Sequence, residues 1–307
     1  LEPSNTAIDK KLAEIYYLKN DFSKAADAYS RFAMGPTANE EDLVKYAFAL
    51  FLNHDFAKSL EVANMGLKKN PRHAAFNRLA MYNNTDLKRF EEALKAADVF
   101  FNECDKADYS YLDYMYYGHL LEELKKYDEA VGQYEKAVEL DPTKTDLYKN
   151  ISSVYEQKND YKKAIGAYHK YYSSLEKEKQ TPDLQFQLGR LYYGAGTQPD
   201  SLTINVEERK QALMSADSVF QVISEAAPDS YLGNFWRARA NSALDPETTQ
   251  GLAKPFYEEV AALLAIENPT LKAEAKANKE KSKEYWSKIL AIDPANATAK
   301  RALDGIK

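Results

Sequence analysis

The sequence of 307 residues contains one cysteine, Cys104, and only four histidines. A single cysteine cannot form an intrachain disulfide, so the fold does not depend on an oxidising compartment. The histidines lie far apart, and none belongs to the HxxxH or HExxH patterns that zinc sites use. We therefore expect neither a metal nor any other cofactor. The four histidines are His54, His73, His119 and His169.

Long apolar runs and an excess of positive charge are also absent. The longest purely apolar run, VAALLAI, covers only residues 260–266, whereas a membrane-spanning helix needs about 20 residues. The net charge is −6, and surfaces that bind nucleic acids are usually strongly basic. The sequence thus predicts neither a transmembrane segment nor a nucleic-acid partner.

Catalytic signatures are equally scarce. No GxSxG pattern occurs, and the GAG at residues 194–196 follows a predicted helix rather than a strand, so it is not a dinucleotide-binding loop. Acidic pairs such as Glu40-Glu41 and Glu122-Glu123 are abundant, and we interpret them as solvated helix faces. We predict that the protein is not an enzyme.

Tyrosine, in contrast, is abundant, with 23 residues, and aromatic residues mark a repeated segment. Five leading aromatics are spaced by 34, 34, 37 and 34 residues, and each is followed three positions later by a small residue. A fixed period of this length predicts an array of stacked structural repeats. The leading aromatics are Phe22, Phe56, Phe90, Tyr127 and Tyr161, and the small residues are Ala25, Ser59, Ala93, Ala130 and Ala164.

Each repeat combines two helical segments. In YLDYMYYGHLLEELKK, residues 111–126, side chains recur at spacings of three or four, which predicts a first helix, helix A. A short polar turn leads to helix B in YDEAVGQYEKAVELDP, residues 127–142, where the proline ends the helix. A glycine inside a helix costs about 1 kcal/mol relative to alanine, so Gly118 predicts the close approach of a neighbouring helix.

This unit resembles the tetratricopeptide repeat, and the resemblance extends over nearly the whole chain. The next unit also matches the motif but departs from it at Tyr171, where the family has a small residue. The resemblance implies an all-α fold, a right-handed α-solenoid (superhelix) of seven or eight stacked antiparallel helix pairs with a capping helix at 296–306. The matching residues of the clearest unit are Tyr114, Tyr117, Gly118, Leu121, Ala130, Tyr134, Ala137 and Pro142.

The repeats predict one superhelix over residues 1–307, with irregular units towards the end. About a dozen residues after Pro269 are too few for a full helix A and a turn. Either this copy has lost its helix A or residues are missing between 270 and 281, and we favour the second interpretation. The approximate repeats are 6–39, 40–73, 74–110, 111–144, 145–181, 182–229 with an insertion at 197–210, 230–270, and 271–307 as an incomplete repeat with the capping helix.

In tetratricopeptide proteins the inner faces of the A helices line a concave groove that binds peptides. The resemblance therefore implies a partner-binding groove that mixes aromatic residues with cations, the usual anchors of protein interfaces. For several of these residues, Phe48 and Phe51 above all, packing against neighbouring helices is the alternative interpretation. The predicted groove residues are Lys10, Tyr17, Phe48, Phe51, Arg78, Tyr82, Met115, His119, Lys149, Ser153, Phe186, Arg190 and Tyr193.

Some members of the family clamp the terminal carboxylate of a chaperone peptide with Lys and Asn residues of successive A helices. Asn150 stands where one such Asn would fall. The preceding repeat has Met115 and His119 in place of Lys and Asn, and the following one has Asp183 and Gln187 in place of Lys and Arg. The clamp is incomplete, so we do not expect this mode of binding.

The resemblance implies binding without chemistry: a scaffold or adaptor that holds an extended segment of another protein in the groove. Two alternatives remain open. One is a subunit of a bacterial envelope-assembly or export complex that docks through its convex face. The other is a helical enzyme or small-ligand sensor, which a pair of buried titratable groups with perturbed pKa values in one pocket would favour.

Two features of the sequence bear on location. The chain begins at Leu1 rather than Met, so we expect that processing or trimming has removed any targeting signal. The many Tyr and Lys residues resemble those of exported bacterial tetratricopeptide proteins, which favours the periplasm or cell envelope over the cytoplasm.

Overall fold

The computed structural model describes residues 3–35, 38–104, 108–199, 205–267, 269–292, 294 and 296–306, and every regular element among them is a helix. The predicted all-α fold class is confirmed. A 3-10 helix covers Lys177–Lys179. The α-helices are α1 (Pro3–Leu18), α2 (Phe22–Ser30), α3 (Glu40–Leu52), α4 (Phe56–Lys69), α5 (Ala74–Asp86), α6 (Phe90–Asn102), α7 (Tyr111–Glu123), α8 (Tyr127–Leu140), α9 (Leu147–Gln157), α10 (Tyr161–Ser174), α11 (Pro182–Gly196), α12 (Val206–Ala226), α13 (Leu232–Leu244), α14 (Lys254–Glu267), α15 (Pro269–Ala277), α16 (Lys279–Ile292) and α17 (Ala297–Gly305).

The odd-numbered helices α1 to α15 are A helices, and each is followed by an even-numbered B helix. The five leading aromatics are the first residues of α2, α4, α6, α8 and α10, so the sequence period places the start of these B helices correctly. Most A helices pack on the B helix of their own pair and on the B helix before them, as in α4 with α5 and α5 with α6. Neither helix of a pair can bury its apolar face alone, and stacking removes that face from water.

The first five turns between A and B helices share one backbone conformation. The residue two positions before each leading aromatic has a left-handed φ of 58 to 61°, a conformation that reverses the chain at the end of helix A. In three of the turns the next residue is an aspartate whose side chain accepts a hydrogen bond from a backbone N–H in the first turn of helix B. The left-handed residues are Asn20, His54, Lys88, Lys125 and Asn159, and the capping aspartates are Asp21, Asp55 and Asp160.

Glycine and tyrosine set the distance between the helices of the clearest pair. A Cβ atom on Gly118 would lie 2.7 Å from Cε1 of Tyr134, whose side chain is fully buried. The predicted close approach of a neighbouring helix at Gly118 is thus confirmed. Ala130 and Ala137 of the same B helix are also 0% exposed, so small residues bring the two backbones together around one large ring.

The chain divides into two compact units, residues 1–150 and residues 151–307. Unit 1 contains α1 to α8 and the first residues of α9. Unit 2 contains the rest of α9 and α10 to α17.

The irregular repeats of unit 2 differ in part from the sequence-based prediction. Helix α12 begins at Val206, so residues 206–210 of the expected insertion at 197–210 belong to its first turns. The reason is a capping box: Asn205 accepts from the backbone N–H of Glu208, and Glu208 accepts from that of Asn205.

The short segment after Pro269 holds a nine-residue A helix, α15, which packs on α16. Asn278 alone joins the two helices, and its side chain accepts from the backbone N–H groups of Glu280 and Lys281. The segment is therefore too short for a full-length helix A but sufficient for a shortened one. That residues are missing there stays a prediction.

Candidate partner-binding face

The predicted groove residues recur at three positions on successive A helices, and we call the surface predicted for them the A-face of each unit. In unit 1 most of them are half-buried, Tyr82 is only 2% exposed, and Lys149 is exposed. In unit 2 Phe186 and Tyr193 are half-buried, whereas Ser153 and Arg190 are exposed. The half-buried members in unit 1 are Lys10, Tyr17, Phe48, Phe51, Arg78, Met115 and His119.

Aromatic rings from three successive A helices meet on the A-face of unit 1. The ring centroids of Phe51 on α3 and Tyr82 on α5 lie 5.5 Å apart, and Tyr82 stacks on Tyr116 of α7 at 4.1 Å. Phe51 also meets Tyr116 directly at 6.0 Å. Phe51 and Tyr116 keep part of their surface exposed, so the row leaves aromatic area open to solvent while it ties the A helices together.

Two cations on the A-face of unit 1, Lys10 and Arg78, are paired with carboxylates of a neighbouring A helix. Nζ of Lys10 on α1 lies 2.7 Å from Oδ1 of Asp42 on α3. Nε of Arg78 on α5 lies 2.7 Å from Oδ1 of Asp113 on α7. These charges are therefore neutralised within the unit.

Asp113 is the centre of a buried polar network, with 0% of its surface exposed. Its carboxylate accepts from Nε and Nη2 of Arg78 at 2.7 and 3.0 Å, from the hydroxyl of Tyr82 at 2.7 Å, and from the hydroxyl and backbone N–H of Ser110 at 2.9 and 2.7 Å. Nη2 of Arg78 also donates to the carbonyl oxygen of Asp108. Burial raises the pKa of the Tyr82 phenol, and the charge of Asp113 adds to this effect. The network fixes Arg78 and Tyr82 in place.

A cavity of about 330 Å³ lies beside this network, where α5, α6 and α7 meet. Burial raises the pKa of the Asp86 carboxyl, although Asp86 also accepts from the hydroxyl of Tyr116 at 3.1 Å. Burial lowers the pKa of the His119 imidazole. One cavity thus holds a carboxyl and an imidazole whose pKa values are both displaced towards the neutral form. The lining residues are Thr85, Asp86, Lys88, Phe90, Met115, Tyr116, His119 and Glu123.

The hydrogen bonds of His119 fix its tautomer. The hydroxyl of Tyr134 lies 2.8 Å from Oε2 of Glu122 and 3.0 Å from Nδ1 of His119. A carboxylate can only accept, so the hydroxyl donates to Glu122 and accepts from His119. The proton of the neutral ring is then on Nδ1, and Nε2 is the basic nitrogen.

The A-face of unit 2 carries a second aromatic cluster, on α11 and α13. The Trp236 ring lies 5.6 Å from that of Phe186 and 5.3 Å from that of Tyr193, and it stacks on Phe220 of α12 at 5.4 Å. Phe220 is fully buried, so the cluster is anchored in the core. The guanidinium of Arg239 lies 4.8 Å from the centre of the Trp236 ring.

Comparison with known proteins agrees with this architecture. Residues 112–144 match the family model of the tetratricopeptide repeat. The chain carries a tetratricopeptide repeat. The matched segment covers α7 and α8, the pair in which Gly118 meets Tyr134.

Two solved structures have a similar fold beyond that segment. The C-terminal part of a TPR repeat-containing protein from Cytophaga hutchinsonii is 29% identical, with a TM-score of 0.58 over 85% of this chain and 99% of that one. Residues 41 to the end of MamA from Desulfovibrio magneticus RS-1 are 18% identical, with a TM-score of 0.50 over 58% of this chain and 98% of that one. No curated protein matches the sequence.

The tetratricopeptide fold is in general a scaffold for protein interactions, and the helix pairs described above have this architecture. The described residues include no group of three His, Cys, Asp or Glu side chains that could hold a metal ion. Among the described helices, none is both long and apolar enough to cross a membrane.

Sequence reasoning missed Tyr116, Trp236 and Arg239. A register signal for Arg239 was available: it follows the buried small residue Ala238 by one position, as Phe48 follows Ala47. The A–B turn after α13 is longer than those of the first five pairs, so the 34-residue period that locates the other positions does not reach this helix.

Proposed function

We propose that the protein is a non-enzymatic scaffold that binds an extended segment of another protein along its A-faces. The observation that carries this proposal is the aromatic row of Phe51, Tyr82 and Tyr116, one ring from each of three successive A helices. Rows of rigid aromatic side chains with partly exposed rings are typical anchors of protein interfaces, since they bury a large area at a small cost in side-chain entropy.

The row is also preorganised. Asp113 holds Tyr82 and Arg78, and Tyr116 donates to Asp86, so the rings lose little freedom when a partner binds. We include the predicted groove residues in this proposal as the surface that a bound segment would follow, with Arg78 and Lys10 as already neutralised positions at its border.

Site-specific photo-crosslinking tests the proposal. A photoreactive amino acid is placed at Phe48 or Met115 on the A-face of unit 1, or at Arg190 on that of unit 2. The control positions are Lys95 and Glu135, which are exposed on the B helices α6 and α8. Cross-linked peptides from lysate are then mapped by mass spectrometry.

We expect the A-face positions to capture one recurring segment of a partner and the B-helix positions not to do so. Capture from Lys95 and Glu135 alone would contradict the proposal. It would favour docking through the convex face, as in a subunit of an envelope-assembly or export complex.

A second candidate function is small-ligand binding in the cavity that contains Asp86 and His119. The observation in its favour is that both side chains have displaced pKa values and line one space of about 330 Å³, within the usual range of ligand pockets. Native mass spectrometry with a mixture of small metabolites tests it. A retained adduct that His119→Asn removes and Lys126→Ala preserves would support a sensor; no adduct would contradict it.

A further inference from the structure

Arg239 on the A-face of unit 2 is held by aromatic rings rather than by an acid. Its guanidinium carbon lies 4.8, 5.1 and 5.8 Å from the ring centres of Trp236, Tyr193 and Phe235. Nη2 is 3.4 Å from the hydroxyl of Tyr193. All four side chains are partly exposed. Contacts with ring faces leave the N–H edges of a guanidinium able to donate.

Three other cations on A helices are each paired with an acid. Arg237, two positions earlier on α13, lies 3.0 Å from Asp217. Arg78 and Lys10 on the A-face of unit 1 are likewise bound to carboxylates. Within the described part of the chain, Arg239 has no carboxylate within ion-pair distance, so its charge is uncompensated.

A second cation for which the described residues give no acidic partner lies on the preceding A helix. Arg190 on α11 is exposed, and its hydrogen-bond partner is the neutral side chain of Gln187, at 3.4 Å. Arg190 and Arg239 occupy equivalent register positions, one residue after Gly189 and Ala238. The A-face of unit 2 therefore presents two successive arginines beside the rings of Tyr193 and Trp236.

We propose that Arg239, framed by Tyr193, Phe235 and Trp236, binds a carboxylate of an acidic segment in a partner protein, with Arg190 as the neighbouring cation. This inference rests on the proposed function and specifies the chemistry of the partner. A planar guanidinium fits a carboxylate through two parallel N–H···O bonds, and stacked rings fix its orientation in advance. A net charge of −6 is the opposite of the strongly basic surface that nucleic-acid backbones require, which favours a protein segment as the partner.

The test uses an array of 12-residue peptides of varied sequence, each present with its Asp and Glu residues and with Asn and Gln in their place. Fluorescence anisotropy then gives the affinity of the best pair for the wild type and for variants. We expect the wild type to prefer the acidic form, and Arg239→Gln to weaken binding of that form at least about tenfold, which removes the preference. Arg239→Lys should keep part of it, since it retains the charge but not the two-bond geometry.

Lys210→Gln is the matched control, because it removes an exposed cation from the B helix α12 of the preceding pair; its affinity should equal that of the wild type. Circular dichroism establishes that each variant is folded. Equal binding of acidic and amide peptides, no bound peptide at all, or an unchanged Arg239→Gln variant would overturn the inference. So would binding of a fluorescein-labelled dT12 oligonucleotide that depends on Arg239.

Different experimental results would contradict the two proposals. If A-face cross-links form but the acidic and amide peptides bind equally, the protein is a scaffold whose partner is not recognised through Arg239. If the A-face positions capture nothing and the B-helix positions do, the proposed function itself is wrong.

Discussion

At the scale of single residues, the Asp113 network makes a strong prediction about stability. Arg78→Met leaves a fully buried carboxylate without its cation, and Asp113→Leu removes the acceptor of the Tyr82 hydroxyl and the carboxylate bound to Arg78. Breaking one side of a buried ion pair costs about 3–5 kcal/mol. We expect each variant to lose about that much free energy of unfolding in urea denaturation.

The double variant Arg78→Met/Asp113→Leu measures how much the interaction between these two side chains contributes to the free energy of unfolding. Because neither charge then remains buried and unpaired, we expect it to be less destabilised than the sum of the two single variants. Strict additivity would show that the two side chains do not stabilise each other and that the A helices are joined by apolar packing alone.

His119 predicts a dependence of stability on pH. Burial lowers its pKa in the folded protein, while Glu122, Asp86 and Glu123 oppose this effect less strongly, and Tyr134 bonds the ring from α8. The unfolded imidazole titrates near its ordinary pKa of about 6.5. Below that pH the His119 imidazole is protonated more readily in the unfolded state than in the folded state. The stability that the neutral His119 contributes is therefore present above pH ~6.5 and is lost as the pH falls.

We therefore expect the urea midpoint of the wild type to fall between pH 7.5 and pH 5.5 more steeply than that of His119→Asn. The variant keeps a polar side chain at the site but cannot titrate. Parallel pH profiles for the two proteins would refute the assignment of this slope to His119.

At the scale of helices, two glycines of one repeat predict opposite effects of the same substitution. A Cβ on Gly118 of α7 would lie 2.7 Å from the Tyr134 ring, which cannot move aside because its hydroxyl is bound to Glu122 and His119. Overpacking costs about 1–3 kcal/mol. A Cβ on Gly132 of α8 would meet no atom within 4 Å, so alanine there gains about 0.5–1 kcal/mol of helix propensity.

We expect Gly118→Ala to lower the thermal midpoint and Gly132→Ala to raise it. Both variants add one methyl group to one helix of the same pair, so each is the control of the other. A rise in both midpoints would mean that the approach of α7 and α8 is not limited by the contact between Gly118 and Tyr134.

The starts of the B helices show what the sequence period can predict. Phe22, Phe56, Phe90, Tyr127 and Tyr161 each begin a B helix, because a repeat that buries the same face must keep the same period. The prediction weakens where this constraint relaxes. The A–B turn after α13 is built on Asp245, whose carboxylate accepts from the backbone N–H groups of residues 249–252, and no period anticipates it.

The candidate site was less predictable than the helices, for a physical reason. A register locates Arg78 on an A helix, but its charge is neutralised by Asp113, 35 residues later, and only the packing of α5 on α7 brings the two together. Arg239 also lies on an A helix, at a different position of the repeat, and among the described residues it contacts aromatic rings and no acid. Whether a cation on this face is available to a partner depends on such contacts, which the sequence pattern does not contain.

At the scale of the whole molecule, the helices of unit 1 pack as a one-dimensional stack. Every extensive helix contact there joins helices that are one or two positions apart in the chain order, such as α5 with α6 and α5 with α7. The stability of such an array is a sum of local and nearest-neighbour contributions. A defect should therefore spread only to adjacent pairs.

Hydrogen exchange of Gly118→Ala tests this locality. Each 1.4 kcal/mol lost from local opening speeds amide exchange about tenfold, so peptides from α7 and α8 should exchange several times faster than in the wild type. Peptides from α5 and α6 should change less, and those from α1 and α2 should not change, since two helix pairs separate them from the altered contact. Uniform acceleration from α1 to α8 would show that unit 1 opens as one cooperative body, and a partner bound at one end of its A-face would then stabilise the other end as well.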